Sequence, residues 1–154
     1  MRGRINFTLL LVEQKLHLSE NESMPSPDTL KRFIAKVEEN QHAAACEEFY
    51  TENSSMQENQ AKPRIGRAAH VDAEHAVMSR ARSVTSTCVH PVLVNGDHVV
   101  IRWIFRFEWL DGSVTQMEEL AYQRWEDECI AEETFFYDPA QRIPQKASTQ
   151  TDLR

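Results

Sequence analysis

Apolar and polar positions along the chain change period once. Leu30, Phe33, Ile34 and Val37 recur at the three-and-four spacing that lines one face of an α-helix. Pro27-Asp28 in front can start that helix, with Asp28 accepting from the orphan amides of the first turn. A polar break at Glu39-Asn40-Gln41 leads to a second helix, with Ala44, Ala45, Phe49 and Cys46 on its inward side and Glu52-Asn53-Ser54-Ser55 at its end. Residues 56–66, which include Pro63 and Gly66, read as an irregular segment. A third helix, about Ala68 to Arg82, carries Val71, His75 and Met78 on one side.

From Val84 the period becomes two. Val84 to Val94 and Val99 to Trp109 flank Asn95-Gly96-Asp97, the strongest short hairpin signal in the chain. Val99, Ile101, Trp103, Phe105, Phe107 and Trp109 fall on one face of the second strand, and Val100, Arg102, Ile104, Arg106 and Glu108 on the other. A two-residue loop puts Cys88, His90 and Val92 on the same apolar face. Asp111-Gly112 turns the chain into a third strand, Val114 to Trp125, and Glu126-Asp127-Glu128 into a fourth, Ile130 to Tyr137. The expected fold is α+β: three helices, then a four-stranded antiparallel meander with its apolar face against them.

The ends stand apart. Arg2 and Arg4 precede a short apolar stretch, Phe7 to Val12, that is too brief for a signal peptide and lacks a small-residue cleavage site. Residues 1–27 read as an extension, with Met24 an alternative translation start that would leave residues 1–23 upstream of the protein. The domain is expected over 28–139, and 140–154, poor in apolar residues, reads as a loose tail.

Composition narrows the function classes. A chain of 154 residues that is 41% hydrophobic suits one domain with a real core. No apolar run approaches the roughly 18–20 residues of a membrane-spanning helix. A net charge of −7 argues against a phosphate-backbone partner, so neither nucleic acid nor membrane is expected. Cys46, Cys88 and Cys129 lie far apart, which fits neither a disulfide framework nor a zinc site and points to reduced thiols in the cytoplasm. His70 and His75 are five apart, so they do not share a helical face as an HExxH pair does. There is no phosphate-cradling GxxxxGK[ST], no GxGxxG and no GxSxG elbow. No metal or cofactor is expected.

The ordered set Glu48-Phe49-Tyr50-Thr51-Glu52-Asn53, Met56-Gln57-Glu58-Asn59, Pro63-Arg64-Ile65-Gly66-Arg67 and Glu133-Thr134-Phe135-Phe136-Tyr137-Asp138-Pro139 resembles the SnoaL-like and ketosteroid-isomerase-like branch of the nuclear transport factor 2-like superfamily. The resemblance covers about Leu30 to Ala140. It implies a curved antiparallel sheet, a four-stranded meander with one further short strand allowed, wrapped as a cone on three N-terminal helices around an apolar pocket. It also implies pairing of two copies through the sheet.

The activities of that branch do not carry over residue by residue. The isomerase's general-base position matches Glu58, but the oxyanion-donating Tyr and protonated Asp match Phe33 and Ala121, so the largest electrostatic contribution to that reaction is missing. The SnoaL-type acid/base Asp falls in the same region as Ala121, and the Asp of limonene-epoxide-hydrolase-like members matches Phe135.

A different polar set remains. By parity Glu119, Ala121, Gln123 and Trp125 share a face, though a one-residue shift in the Asp111-Gly112 turn would exchange Glu119 for Glu118. The resemblance puts that face, with Glu133, Phe135 and Tyr137, inside the cone. Glu58, Glu119 and Glu133 are then the candidate catalytic residues, since carboxyls in apolar surroundings can act as acid and base near neutrality. Tyr50, His75, Met78, Trp103, Phe105, Gln123, Trp125, Phe135 and Tyr137 are the candidate pocket lining. The expected function is a cofactor-independent isomerase, cyclase or hydrolase acting on a small apolar carbonyl compound. The alternative is a non-catalytic small-ligand-binding or dimerisation module of the same fold. A homodimer is expected through the outer sheet face bearing Arg102, Ile104 and Arg106.

Overall fold

The computed structural model describes residues 25–147; residues 1–24, with the alternative start at Met24, and 148–154 lie outside the described residues. Helix α1 (Pro27–Glu38) is capped by Ser26 rather than Asp28. The Ser26 hydroxyl accepts from the Thr29 amide at 3.2 Å, and Pro27 occupies the first turn, where its missing N–H has no helical partner to lose. Asp28 supplies negative charge to that turn instead. Phe33 and Val37 are buried, with Leu30 and Ile34 packed beside them, as the stripe predicts. Asn40, at φ 61°, takes the left-handed conformation that ends the helix.

Helix α2 (His42–Phe49) buries Ala45, Cys46 and Phe49 and stops at Phe49, not at Ser55. The chain then enters a strand, β1 (Tyr50–Glu58), where the sequence reads as helix end and irregular segment. Its polar residues show no strand pattern; its backbone groups are satisfied by pairing in parallel with a strand some 80 residues later (Met56 opposite Glu133, Glu58 opposite Phe135). Two residues form β2 (Arg64–Ile65), antiparallel to β1.

Helix α3 (Arg67–Met78) ends before Ala81, where β3 (Ala81–Asn95) already begins. β4 (His98–Trp109), β5 (Ser113–Glu126) and β6 (Cys129–Phe136) complete the antiparallel meander. Asn95 pairs with His98 across a two-residue loop in which Gly96 has φ 61°. The sheet order is β2-β1-β6-β5-β4-β3, so the meander is extended by a parallel strand into a curved mixed sheet.

Between Val89 and Leu93 a bulge sets three residues of β3, His90, Pro91 and Val92, against the single Ile101 of β4. Cys88 stays buried opposite Trp103 and Val92 packs on the core, but His90 turns to the surface, contrary to its parity. Among the described residues after Asp138, a 3-10 turn (Pro139–Arg142) leads to β7 (Gln145–Lys146), which pairs with Ser113 and Val114 where β6 does not reach. Unpaired backbone on β5 provides the docking edge.

Candidate functional site

The inward face of the sheet can be read row by row from its register. One row runs Met56, Glu133, Gln123, Val99; the next runs Glu58, Phe135, Ala121, Ile101; the third contains Glu119, Trp103 and Cys88. The Asp111-Gly112 turn therefore keeps Glu119 inside, opposite Trp103, while Glu118 faces outward and binds Arg102 at 2.7 Å. Glu58 stands in the row between Glu133 and Glu119. With a rise of about 3.3 Å per residue, the backbones at Glu119 and Gln123 are roughly 13 Å apart.

Between this face and the helices lies a cavity of about 590 Å³. Its floor is a ladder of rings on β4: Trp103 stacks on Phe105 at 5.6 Å and Phe107 on Trp109 at 5.1 Å between centroids. Glu58, Glu119, Glu133, Tyr50, Trp103, Phe105 and Phe135 all line it. Gln123 and Trp125 are fully buried beneath the lining, and Tyr137 stands at the rim, where its hydroxyl accepts from Arg142 at 2.9 Å. His75 is exposed and Met78 lies off the cavity. Helix α3 turns His70, Glu74 and Val77 inward, one position out of phase with the expected His75 and Met78. The inward stripe is polar, so a search for apolar spacing selects the wrong phase; Val71 alone packs on the core as expected.

The three carboxylates differ sharply. Glu133 is 2% exposed and held at both oxygens: Tyr50 donates to Oε2, and Gln123 Nε2 donates to Oε1 at 2.7 Å. Trp125 Nε1 in turn donates to Gln123 Oε1 at 3.0 Å, which fixes the amide. Burial pushes Glu133 up to about 7 despite those two bonds, and the Tyr50 hydroxyl is pushed well up by burial and by the charge of Glu133. Glu119 is 7% exposed, and among the described residues nothing hydrogen-bonds its carboxyl. Burial first, then the charges of Glu58, Glu133 and Glu74, push it up to about 8. Glu58 is at the mouth, with Arg142 3.9 Å away. Phe33 and Phe135 line the cavity and Ala121 is fully buried, so the positions matching the isomerase and hydrolase donors supply no polar group.

Sequence reasoning missed His42, Glu74, Arg80 and Arg142, which also line the cavity. Their spacing carries no signal, because they come from α2, from α3 and the turn after it, and from the segment after β6. Among the described residues no three His, Cys, Asp or Glu side chains are grouped to hold a metal ion. No helix among them is long and apolar enough to cross a membrane.

Three helices over a curved mixed sheet make the α+β fold seen in ketosteroid-isomerase-like structures. The SnoaL-like domain family matches residues 30–133, well over half of the chain, and the protein belongs to that family. No curated protein matches it in sequence. Its structure is similar to a hypothetical protein with a ketosteroid isomerase-like fold from Catenulispora acidiphila DSM 44928, solved with trimethylamine (TM-score 0.63, 14% identity, 75% of this chain and 89% of that one). It is also similar to a protein of Mesorhizobium loti described as a SnoaL-like polyketide cyclase (0.60, 19%, 71% and 97%). A third relative is the epoxide hydrolase/cyclase-like enzyme SalBIII of pyran ring formation in salinomycin (0.62, 18%, 74% and 91%). At these identities the likeness is one of fold.

Proposed function

We propose that the chain is a cofactor-independent enzyme of isomerase, cyclase or hydrolase type that moves a proton on a small apolar carbonyl compound. The observation that carries this reading is Glu119: a carboxyl pushed up to about 8, unpaired among the described residues, on the wall of an aromatic cavity. At neutral pH it is mostly protonated and can give its proton to a carbonyl oxygen while an ionised group takes the α-proton. Glu58 stands at the mouth within reach of such a role, and its charge helps keep Glu119 protonated. Glu133, with both oxygens engaged, serves to hold the Tyr50 hydroxyl in the cavity wall.

The test follows the α-protons of 2-tetralone, a flat apolar ketone, by proton NMR in D2O. Glu119→Gln should slow exchange about 100-fold or more, the usual worth of a general acid, with the far-UV spectrum unchanged. Tetralone that quenches Trp103 fluorescence without any exchange in the unmodified protein would favour the binding module instead.

The same reading includes a homodimer through the outer sheet face. Leu120, Tyr122 and Phe136 are each close to half exposed there, beside Arg102, Ile104 and Arg106. Sedimentation should give twice the chain mass, and Ile104→Glu should shift it to one. Three free cysteines fit a reducing compartment such as the cytoplasm.

A further inference from the structure

Four elements converge on one imidazole in the cavity wall. His42, the first residue of α2, lines the cavity with its ring edge-on to Phe105 at 5.5 Å between centroids. Its Nε2 is 2.8 Å from the Ser86 hydroxyl of β3, and that hydroxyl donates to Asn40 Oδ1, also at 2.8 Å. Glu74 of α3 approaches the other nitrogen, Nδ1, with its carboxylate 3.5 Å away. The ring is thus anchored on one side by a hydrogen-bonded hydroxyl. The Nδ1 side has a carboxylate near it but no short bond to fill it.

Ser86 cannot be the reacting group of this cluster, since it is buried behind the imidazole and does not line the cavity. Asn40 Oδ1 also competes for its proton. Ser86 and Asn40 orient the ring, and Glu74 stabilises positive charge on it, as a carboxylate beside an imidazole does. Phe105, which the ring touches, is the next inward residue of β4 after Trp103, and Trp103 is opposite Glu119. A ligand lying on these two rings has Glu119 beside one and His42 against the other.

We infer that the proton acceptor working opposite Glu119 in this cavity is His42 rather than Glu58, with Glu74 as its positioning residue. The inference rests on the proton-transfer reading above and adds a residue to it. In the step, His42 Nδ1 takes a proton from the carbon next to the substrate carbonyl. The C–H electron pair becomes the enol double bond, and Glu119 gives its proton to the carbonyl oxygen. The enol is neutral, His42 ends as imidazolium beside Glu74, and Glu119 ends as carboxylate. Reversal at the same or a conjugated carbon restores both groups. The substrate class this arrangement suits is a flat apolar ketone with an acidic C–H beside the carbonyl.

The test uses the full chain and the 2-tetralone exchange assay, with His42→Gln and His42→Asn made in parallel so that either folded variant decides. Exchange should fall about 100-fold or more, while quenching of Trp103 fluorescence by tetralone stays within threefold. Glu74→Gln should lower kcat with KM unchanged, and Glu74→Asp should recover part of the loss. Exchange that persists within threefold in the His42 variants overturns the role of His42 and leaves Glu119 standing. Absence of exchange in the unmodified protein overturns both.

Discussion

Glu119→Gln should make the protein more resistant to unfolding at alkaline pH, and the sign follows from its surroundings. The carboxyl ordinarily titrates at 4.5, and in the folded chain it is pushed up to about 8, by burial first and the charge of Glu58 next. Between those values the folded state holds a proton that the unfolded chain releases. The stabilising contribution of the protonated carboxyl is complete below pH 4.5 and is lost as pH rises through 8. Across the window the unfolding free energy falls by up to about 1.4 kcal/mol per pH unit. The total reaches several kcal/mol, a large share of the roughly 5–15 kcal/mol that holds a domain folded. Glutamine keeps the shape and cannot ionise, so its stability curve should lose this fall and keep the one due to Glu133, which is pushed up to about 7 and acts with the same sign. Urea unfolding followed by tryptophan fluorescence at pH 5 to 9 measures this. The difference between variant and unmodified protein should widen in favour of the variant by roughly 2 kcal/mol or more between pH 6 and 9. Parallel curves across that range would refute the reasoning, because they would mean that Glu119 is hydrated and titrates near its ordinary value.

Glu58→Gln removes the charge that contributes most to the upward shift of Glu119 after burial, so Glu119 should titrate below 8; carbon NMR of the labelled carboxyls reads this. Tyr50→Phe deletes a buried donor to Glu133, which should cost about 1–3 kcal/mol in urea unfolding and move Glu133 above 7. Trp103→Ala, at a side chain 2% exposed, should cost about 3–5 kcal/mol and weaken tetralone quenching, leaving what Trp109 contributes. Ser26→Ala should cost about 1 kcal/mol, visible as a lower Tm, whereas Asp28→Ala should cost less because Asp28 does not cap α1.

Local features were legible. The alternation from Val99 to Trp109 and the Asn95-Gly96 turn mark β4 and its hairpin because side-chain direction in a strand depends only on parity. The stripe of α1 was legible for the same kind of reason. Polar positions were harder. Val71, His75 and Met78 looked like the inward side of α3, yet His70, fully buried, accepts from Arg64 Nε at 3.2 Å and reaches the Ser54 carbonyl at 3.1 Å, which turns that side of the helix inward. Hydropathy assigns such a residue to the surface; only its partners make its burial tolerable. β1 was missed because its strand pairing comes from β6 and β2 rather than from its own pattern.

The candidate site divides in the same way. From the sequence alone, parity puts Glu119 in line with Ala121, Gln123 and Trp125 and makes Glu133 a strand residue, since both follow from the two-residue period of a sheet. Which carboxyl is saturated and which is free was decided by the tertiary structure, where Tyr50 and Gln123 close on Glu133 and no described partner hydrogen-bonds Glu119. The meeting of His42 with Glu74 and Ser86 was decided there too. Periodicity is a property of neighbouring residues in the chain. A proton's affinity depends on groups nearby in space, and those are set by how helices and sheet pack.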